Sequence, residues 1–404
     1  MIDSRFLTRV ILKNYKSIAA CDVSLGPLTF LVGPNGSGKS NFLDALRFVA
    51  DSLRTSLDHA LRDRGGISEV RRRSGGHPIH FGLRLEFVLG DDWTGYYAFR
   101  IAAKTGGGYE VQQEECEIIG SGALGERHRF RVRDGKVRAT VPVVPAAVPD
   151  RLYLVAASGL PEFRPVWEAF SHMGFYNLNP EQIRGLKPPS PEPLLSRDGA
   201  NIASALGQLV QRHPENKKRI EEYLAKIVSG IQGVDVKQLG PVETIEFRQL
   251  VAGSQYPWRF LAANMSDGTL RALGILVALY QSDSGSAARV PLIGIEEPEV
   301  ALHPAAAGVL IDSLIDASRN TQIVVTSHSP DLLDDARLGN DAILAVVAAE
   351  GTTRIGTLDE AGRSALRDKL YTAGELLRLN QLAPDPASRS LTAKQLRLFD
   401  EGDE

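Results

Sequence analysis

The sequence predicts an α/β fold of the P-loop NTPase kind, with a β-rich lobe and a mainly helical insertion. Three observations carry this. Gly33 to Ser40 reads GPNGSGKS and matches G-x-x-x-x-G-K-[ST], the phosphate-binding loop. An apolar run, Leu28 to Val32, precedes it, and Phe42, Leu43, Ala45, Leu46 and Val49 follow at helical spacing. Two further apolar runs downstream end in chemistry-bearing residues, Glu296-Glu297 and His328. An eight-residue pattern with four open positions also arises by chance; the strand before it and the helix after it argue for a nucleotide site.

Each part of the loop has a physical task. Its glycines let backbone N–H groups approach a polyphosphate, and the positive end of the following helix favours the anion. Lys39 would reach the β- and γ-phosphates, and the Ser40 hydroxyl would bind Mg²⁺.

The 404 residues, with a formal charge of −3, 43% hydrophobic and 24% charged, describe an ordinary globular chain with room for two or three units. Near-neutral charge gives no global case for nucleic-acid binding, so any such surface must be a local patch. Cys21 and Cys116 share no motif with histidines and read as reduced core thiols. Asp3, Arg5 and Arg9 interrupt the apolar residues at the start, so no signal peptide is read there. The longest apolar stretch, Ala272 to Tyr280, is too short to span a bilayer. The expected compartment is the cytoplasm, with no membrane partner.

Four segments are expected. Residues 1–150 hold the P-loop and an antiparallel β lobe. Strands are read at Phe6–Lys13, Ala20–Leu25 and Leu28–Val32, with Asn14 to Ser17 a surface turn rather than an adenine pocket. The P-loop helix should run from Gly38 to about Arg54. Leu57 to Gly76, rich in arginine and glycine, reads as an exposed connection. Strands Ile79–Leu89, Tyr96–Ala103, Tyr109–Ile119, Arg127–Arg133 and Lys136–Val144 follow, the last two a hairpin around Asp134-Gly135. Arg127, Arg129, Arg131 and Arg133 fall on one face at period two. A solvated outer face is favoured over a basic ribbon touching phosphate backbones.

Residues 151–240 read as a mainly helical insertion broken by prolines at 187–193, with amphipathic helices at Ile202–Gln211 and Lys217–Val228. Residues 241–383 return to the nucleotide site after strands at Val234–Leu239, Thr244–Leu250 and Tyr256–Phe260. Residues 384–404 are a polar tail.

In the third segment Ser266 can cap the helix Leu270–Gln281, turning its N-terminal amides toward an anion. Val290 to Glu299 is an apolar strand running into carboxylates. Glu296 can hold Mg²⁺ through water, and Glu297 can orient and deprotonate an attacking water. The next buried strand, Gln322–Ser327, delivers His328 to a place where an imidazole can sense a γ-phosphate.

The order GPNGSGKS, MSDGT, IGIEEPE, TSHSP resembles the ABC-type ATPase heads of the SMC/RecF/OLD superfamily. It looks most like the standalone bacterial AAA-family ATPases of the phage-defence type. Leu12 to Ser17 and Gly374 to Leu377 share the likeness, which covers residues 2–60 and 255–380. The resemblance implies that Pro34, Asn35, Gly36, Ser37, Gly38, Lys39, Ser40 and Asn41 bind ATP phosphates, with Ser40 and Glu296 at the magnesium. Glu297 would be the catalytic base and His328 the switch histidine. Ser266, Asp267 and Gly268 would form the signature that closes on ATP held by a second subunit, so heads would work as dimers linked through Pro298 to His303. Glu296 stands where most relatives have aspartate, and Asp267 departs from the usual signature. Gln112 and Gln113 are Q-loop candidates by position alone.

The resemblance leads to an ATPase whose ATP-dependent pairing controls DNA or a separately encoded nuclease or toxin effector. DNA repair or maintenance is the alternative. A self-contained nuclease would need a Toprim domain of about a hundred further residues, and the stretch after His328 reads as too short. A transporter subunit fits the β-rich lobe and the Ser-His-Ser-Pro context less well.

Overall fold

The computed structural model describes residues 4–74, 78–90, 93–121, 125–142, 145–192, 194–281 and 290–400, with only the backbone of Arg389. Residues 143–144 of the expected strand, Pro193 of the proline-rich break and the last four residues of the tail lie outside them.

The chain begins with β1 (Leu7–Tyr15), β2 (Ile18–Ser24) and β3 (Leu28–Val32), and the P-loop then feeds α1 (Lys39–Arg54). Short helices α2 (Leu57–Arg62) and α3 (Ile67–Val70) lead into β4 (His80–Leu89), β5 (Trp93–Ala103), β6 (Tyr109–Gly120), β7 (Arg127–Arg133) and β8 (Lys136–Ala139). Asp134 and Gly135, both at positive φ, turn the last hairpin in the way a two-residue connection between right-twisted strands requires. Next come α4 (Tyr153–Ala157), α5 (Arg164–Ser171), β9 (Gly174–Tyr176), α6 (Pro180–Arg184), α7 (Ile202–Arg212) and α8 (Pro214–Ile227). Strands β10 (Ile231–Leu239), β11 (Val242–Gln249) and β12 (Trp258–Leu261) form their own antiparallel sheet. Then come α9 (Asp267–Tyr280), β13 (Leu292–Glu296), α10 (Ala307–Ala317), β14 (Gln322–Ser327), α11 (Pro330–Leu333), β15 (Ile343–Ala349) and β16 (Thr352–Thr357), followed by short helices at Glu360–Arg367, Ala373–Arg378 and Pro386–Ser390.

Among the described residues one sheet of 13 strands runs β8-β7-β6-β5-β4-β1-β2-β16-β15-β3-β14-β13-β9. From β8 to β2 it is antiparallel; β15, β3, β14, β13 and β9 are parallel. The parallel strands are apolar almost throughout because helices cover both faces. One core joins the antiparallel lobe to α1, α4 and α5, around Phe48, Phe81, Phe99 and Phe170; the other gathers α7 to α10 on the opposite face of the parallel strands.

Several expectations change. The 57–76 stretch is not simply an exposed connection: the Arg64 side chain is 2% exposed and ion-pairs with Asp44 and Asp51 at 3.0 Å each. Arg72 donates to the Ser17 carbonyl and the Thr352 hydroxyl. Tyr15 is fully buried, its hydroxyl on Asp44, so only part of the 14–17 turn is at the surface. The boundary expected at 150 separates α4 and α5 from the lobe core that holds them, and the one at 240 falls inside the β10–β11 hairpin. Cys21 and Cys116 are buried and unbridged.

Candidate active site

Adjacent strands set the site. In register, Val32 of β3 lies beside Ser327 of β14, and Thr326 beside Glu296 of β13. The residues just beyond these three strand ends are therefore Gly33, His328 and Glu297. A row of parallel strand ends in an α/β sheet is where such folds place ligands.

The loop is shaped by close backbone contact. A Cβ on Gly33 would lie 1.9 Å from the Val346 carbonyl oxygen, and Gly38 combines φ of +103° with a Cβ position 2.0 Å from Thr353 Oγ1. Only glycine fits either place. Thr353 also donates to the Ser37 carbonyl, which ties the loop to β16. Gly38 offers no side chain to cap α1, so the first amides of this 16-residue helix stay available to an anion. Lys39 is buried, and its ammonium donates to the carbonyls of Gly33 (2.8 Å) and Pro34 (3.1 Å). Burial lowers its pKa, while Glu297 and Glu299 pull the other way. Asn41 donates to Ser17 Oγ, bracing the loop against the β1–β2 turn.

The carboxylates divide by environment. Glu297 has φ of +45°, a conformation costly for a side-chain-bearing residue, held by N–H bonds to the Thr326 carbonyl (3.0 Å) and hydroxyl (3.3 Å). Its carboxylate is 3.2 Å from His328 Nδ1. Glu299 accepts from Ser327 Oγ and the His328 N–H, fixing the backbone that presents the imidazole. Glu296 points elsewhere. It pairs with Arg197 at 2.9 Å and borders a small cavity with Ser40, Asn41, Lys16 and Arg197. Ser40 and Glu296 bring a hydroxyl and a carboxylate to one cavity, hard-oxygen donors of the kind that suit Mg²⁺, so the residues present fit that ion.

Ser266 caps α9 through the Thr269 N–H, and Asp267 is held by Arg184. A Cβ on Gly268 would stand 2.5 Å from the Ala301 carbonyl oxygen, so the start of α9 packs on the loop of residues 298–303. One turn along α9, Arg271 donates to the carbonyls of Glu296 and Glu297. The start of α9 and the carboxylate loop are thereby joined within one chain. Gln112 and Gln113 are not brought to this site: they lie on β6 of the lobe, and the strand that flanks β13 is β9. Arg197, Arg184 and Arg271 were missed because nothing local marks an arginine that acts through tertiary contact.

The family described as "AAA domain, putative AbiEii toxin, Type IV TA system" matches residues 28–94 and 146–334, more than half of the chain. The chain belongs to that family. Its fold is that of the ATPase heads of the SMC/RecF/OLD type. The Old nuclease of Escherichia phage P2 is 24% identical over 393 residues, covering 88% of this chain and 61% of the phage protein. The chain thus spans about three fifths of that relative's length. The DNA replication and repair protein RecF of Vibrio vulnificus is 49% identical over only 41 residues, 10% of this chain and 11% of RecF. Among solved structures, an Smc head bound to the C-terminal winged-helix domain of ScpA has a TM-score of 0.55 at 15% identity, covering 89% of this chain and 99% of the head. A Pyrococcus furiosus Smc head with an extended coiled coil gives 0.54 at 13% identity, covering 91% and 99%. These likenesses carry the fold of this AAA domain. Among the described residues no helix is long and apolar enough to cross a membrane.

Proposed function

We propose that this AAA protein binds ATP at the 34–41 loop and hydrolyses it with Glu297 as the base. Pairing of two copies around ATP would control DNA or a separately encoded nuclease or toxin, in defence against phage. The observation that carries the catalytic part is the Glu297–His328 contact one strand away from the P-loop.

Lys39 can exchange its two loop carbonyls for phosphate oxygens, which bring the negative charge its buried ammonium lacks. Uncapped α1 amides add donors to the same phosphates. Glu297, fixed through its own N–H, takes a proton from an attacking water. His328 Nδ1, 3.2 Å from that carboxylate and without a hydrogen-bond partner among the described residues, can take up a terminal phosphate oxygen and so report its presence. Ser40 and Glu296 would hold Mg²⁺, which neutralises charge on the phosphates. Ser266, Asp267 and Gly268 would meet the nucleotide of the second copy.

The defence role is supported by the toxin in the family description and by the phage nuclease, whose match covers most of this chain. The second reading, DNA repair or maintenance, is supported by RecF over a much shorter stretch.

The test compares two variants. Lys39→Ala should abolish nucleotide binding. Glu297→Gln should bind ATP, hydrolyse it at least a hundredfold more slowly and sediment as a dimer. Hydrolysis by Glu297→Gln at the wild-type rate would show that another group is the base. Purified from its host with ATP, Glu297→Gln should retain an effector-like protein; recovered DNA without one favours maintenance.

A further inference from the structure

The outer face of the antiparallel lobe carries its charges in cross-strand rows, and one row differs from its neighbours. Where arginines of β7 face carboxylates of β6, they are satisfied. Arg127 pairs with Glu117 at 2.7 Å, Arg129 with Glu115, and Arg131 with Glu115 at 3.0 Å. This neutralises most of the arginine face expected on the hairpin.

The next row runs Lys136, Arg133, Gln113, Arg100, Gly82, Lys13 across β8, β7, β6, β5, β4 and β1. It has no carboxylate. Arg100 Nε is buried without a hydrogen-bond partner. Burial first, and Arg133 second, lower the pKa of Arg100; burial and then Arg100 lower that of Lys13. These cations oppose one another.

At Gly82 the floor is open, and the C-terminal segment comes down onto it: a Cβ there would be 2.5 Å from Leu398 Cδ1. Leu396 and Leu398 bury against Ile11 and Ala20, and the Asp400 carboxylate pairs with Arg84 at 2.9 Å. Between this segment and the β7–β8 hairpin lies a groove of about 970 Å³. Arg100 and Gln113 lie in the lobe sheet, Arg133, Lys136 and Arg138 on the hairpin side, and Lys394 and Arg397 on the segment. Among the described residues its acids are Asp134, in the hairpin turn, and Asp400, already engaged by Arg84.

A chain of net charge −3 that gathers this many cations in one groove has a local electrostatic footprint. At about 4.8 Å per strand, the part of the row that lines the groove, Lys136 to Arg100, spans three steps, about 14 Å, which is the reach of two or three linked phosphates. We propose that this groove binds the phosphodiester backbone of a nucleic-acid strand, with Arg100 and Arg133 at its centre and the 391–400 segment as its second wall. The inference rests on the ATPase reading only for its biological role; the binding itself needs no nucleotide.

The test is fluorescence anisotropy of a labelled 30-mer thymidine strand with the full chain, without ATP, over a salt series. The Lys39→Ala protein should bind the strand like wild type, which separates failure of the groove from failure of the ATPase reading. Arg133→Glu with Lys136→Glu should weaken binding at least tenfold and flatten the log K against log salt slope by about 1.4, near 0.7 for each lost phosphate contact. Arg127→Glu with Arg164→Glu, an equal charge change outside the row, should have a small effect. Equal loss in both double variants, or no binding by wild type at low salt, would overturn the proposal. Tripolyphosphate displacing the strand at matched phosphate concentration would overturn the nucleic-acid assignment.

Discussion

His328 Nδ1 stands 3.2 Å from the Glu297 carboxylate and 3.9 Å from that of Glu299, across the ends of two adjacent parallel strands. Three features hold this spacing: the positive φ of Glu297, the Thr326 anchor of its N–H, and the Glu299 bonds to Ser327 and His328. If the imidazole couples the base to the terminal phosphate, His328→Gln should lower ATP hydrolysis about a hundredfold while nucleotide affinity stays within threefold. Phosphate release and a nucleotide titration measure the two. A parallel loss of both would make His328 a binding residue instead.

Asp44 gathers Arg64, Lys16, Arg47 and the Tyr15 hydroxyl around one carboxylate beneath the P-loop helix. Burial alone would raise its pKa, but Arg64, Lys16 and Arg47 outweigh it and bring it down to about 2. A depressed carboxyl stabilises the fold above its unfolded value, and that stability is lost as pH falls toward 2. The size is roughly 2 kcal/mol. Arg64→Met leaves Asp44 and Asp51 short of a buried partner and should cost about 3 kcal/mol in urea unfolding at pH 7. The deficit should shrink toward pH 3, as Asp44 protonates.

The parts of the candidate site were legible because each is local. A glycine loop between strand and helix, or two glutamates at a strand end, can be read from a few consecutive residues. The edge strand Gly174–Tyr176 was not, since three residues cannot display a period of two. Arg64 read as part of an exposed basic loop because arginine is usually outside; its burial depends on Asp44 and Asp51 of α1 meeting it there. The alternation on β7 placed Arg127 to Arg133 on one face. It could not show that Glu115 and Glu117 lie opposite Arg131 and Arg129, since register between strands is a tertiary fact.

Glu114 offers a second pH dependence of opposite sign. It is fully buried in the lobe, accepting from the N–H groups of Tyr153 and Leu154 and the Tyr97 hydroxyl. Burial pushes its pKa up to about 7, against the lowering effect of those bonds. A raised carboxyl gives its full stability below the unfolded value near 4.5 and loses it as pH rises through about 7. The loss is roughly 3 kcal/mol. Melting temperatures at pH 5 and pH 8 should therefore fall further for wild type than for Glu114→Gln. The same slope in both proteins would place the titration elsewhere.

Arg197 and Glu296 make the last contact that a functional account must explain. The guanidinium lies 2.9 Å from the carboxylate, at the cavity shared with Ser40. The Arg197 carbonyl accepts from the Asn177 N–H, just beyond β9, so this arginine hangs from the edge strand beside β13. A guanidinium and a divalent cation compete for the same carboxylate. The Arg197 side chain is 47% exposed and that of Glu296 24%, so the pair is worth at most about 1 kcal/mol, which caps the effect near fivefold. Arg197→Ala should lower the Mg²⁺ concentration for half-maximal ATPase activity about threefold, with Lys39-dependent ATP binding in EDTA unchanged. A higher Mg²⁺ requirement would mean that Arg197 orients Glu296 for the metal rather than competing with it.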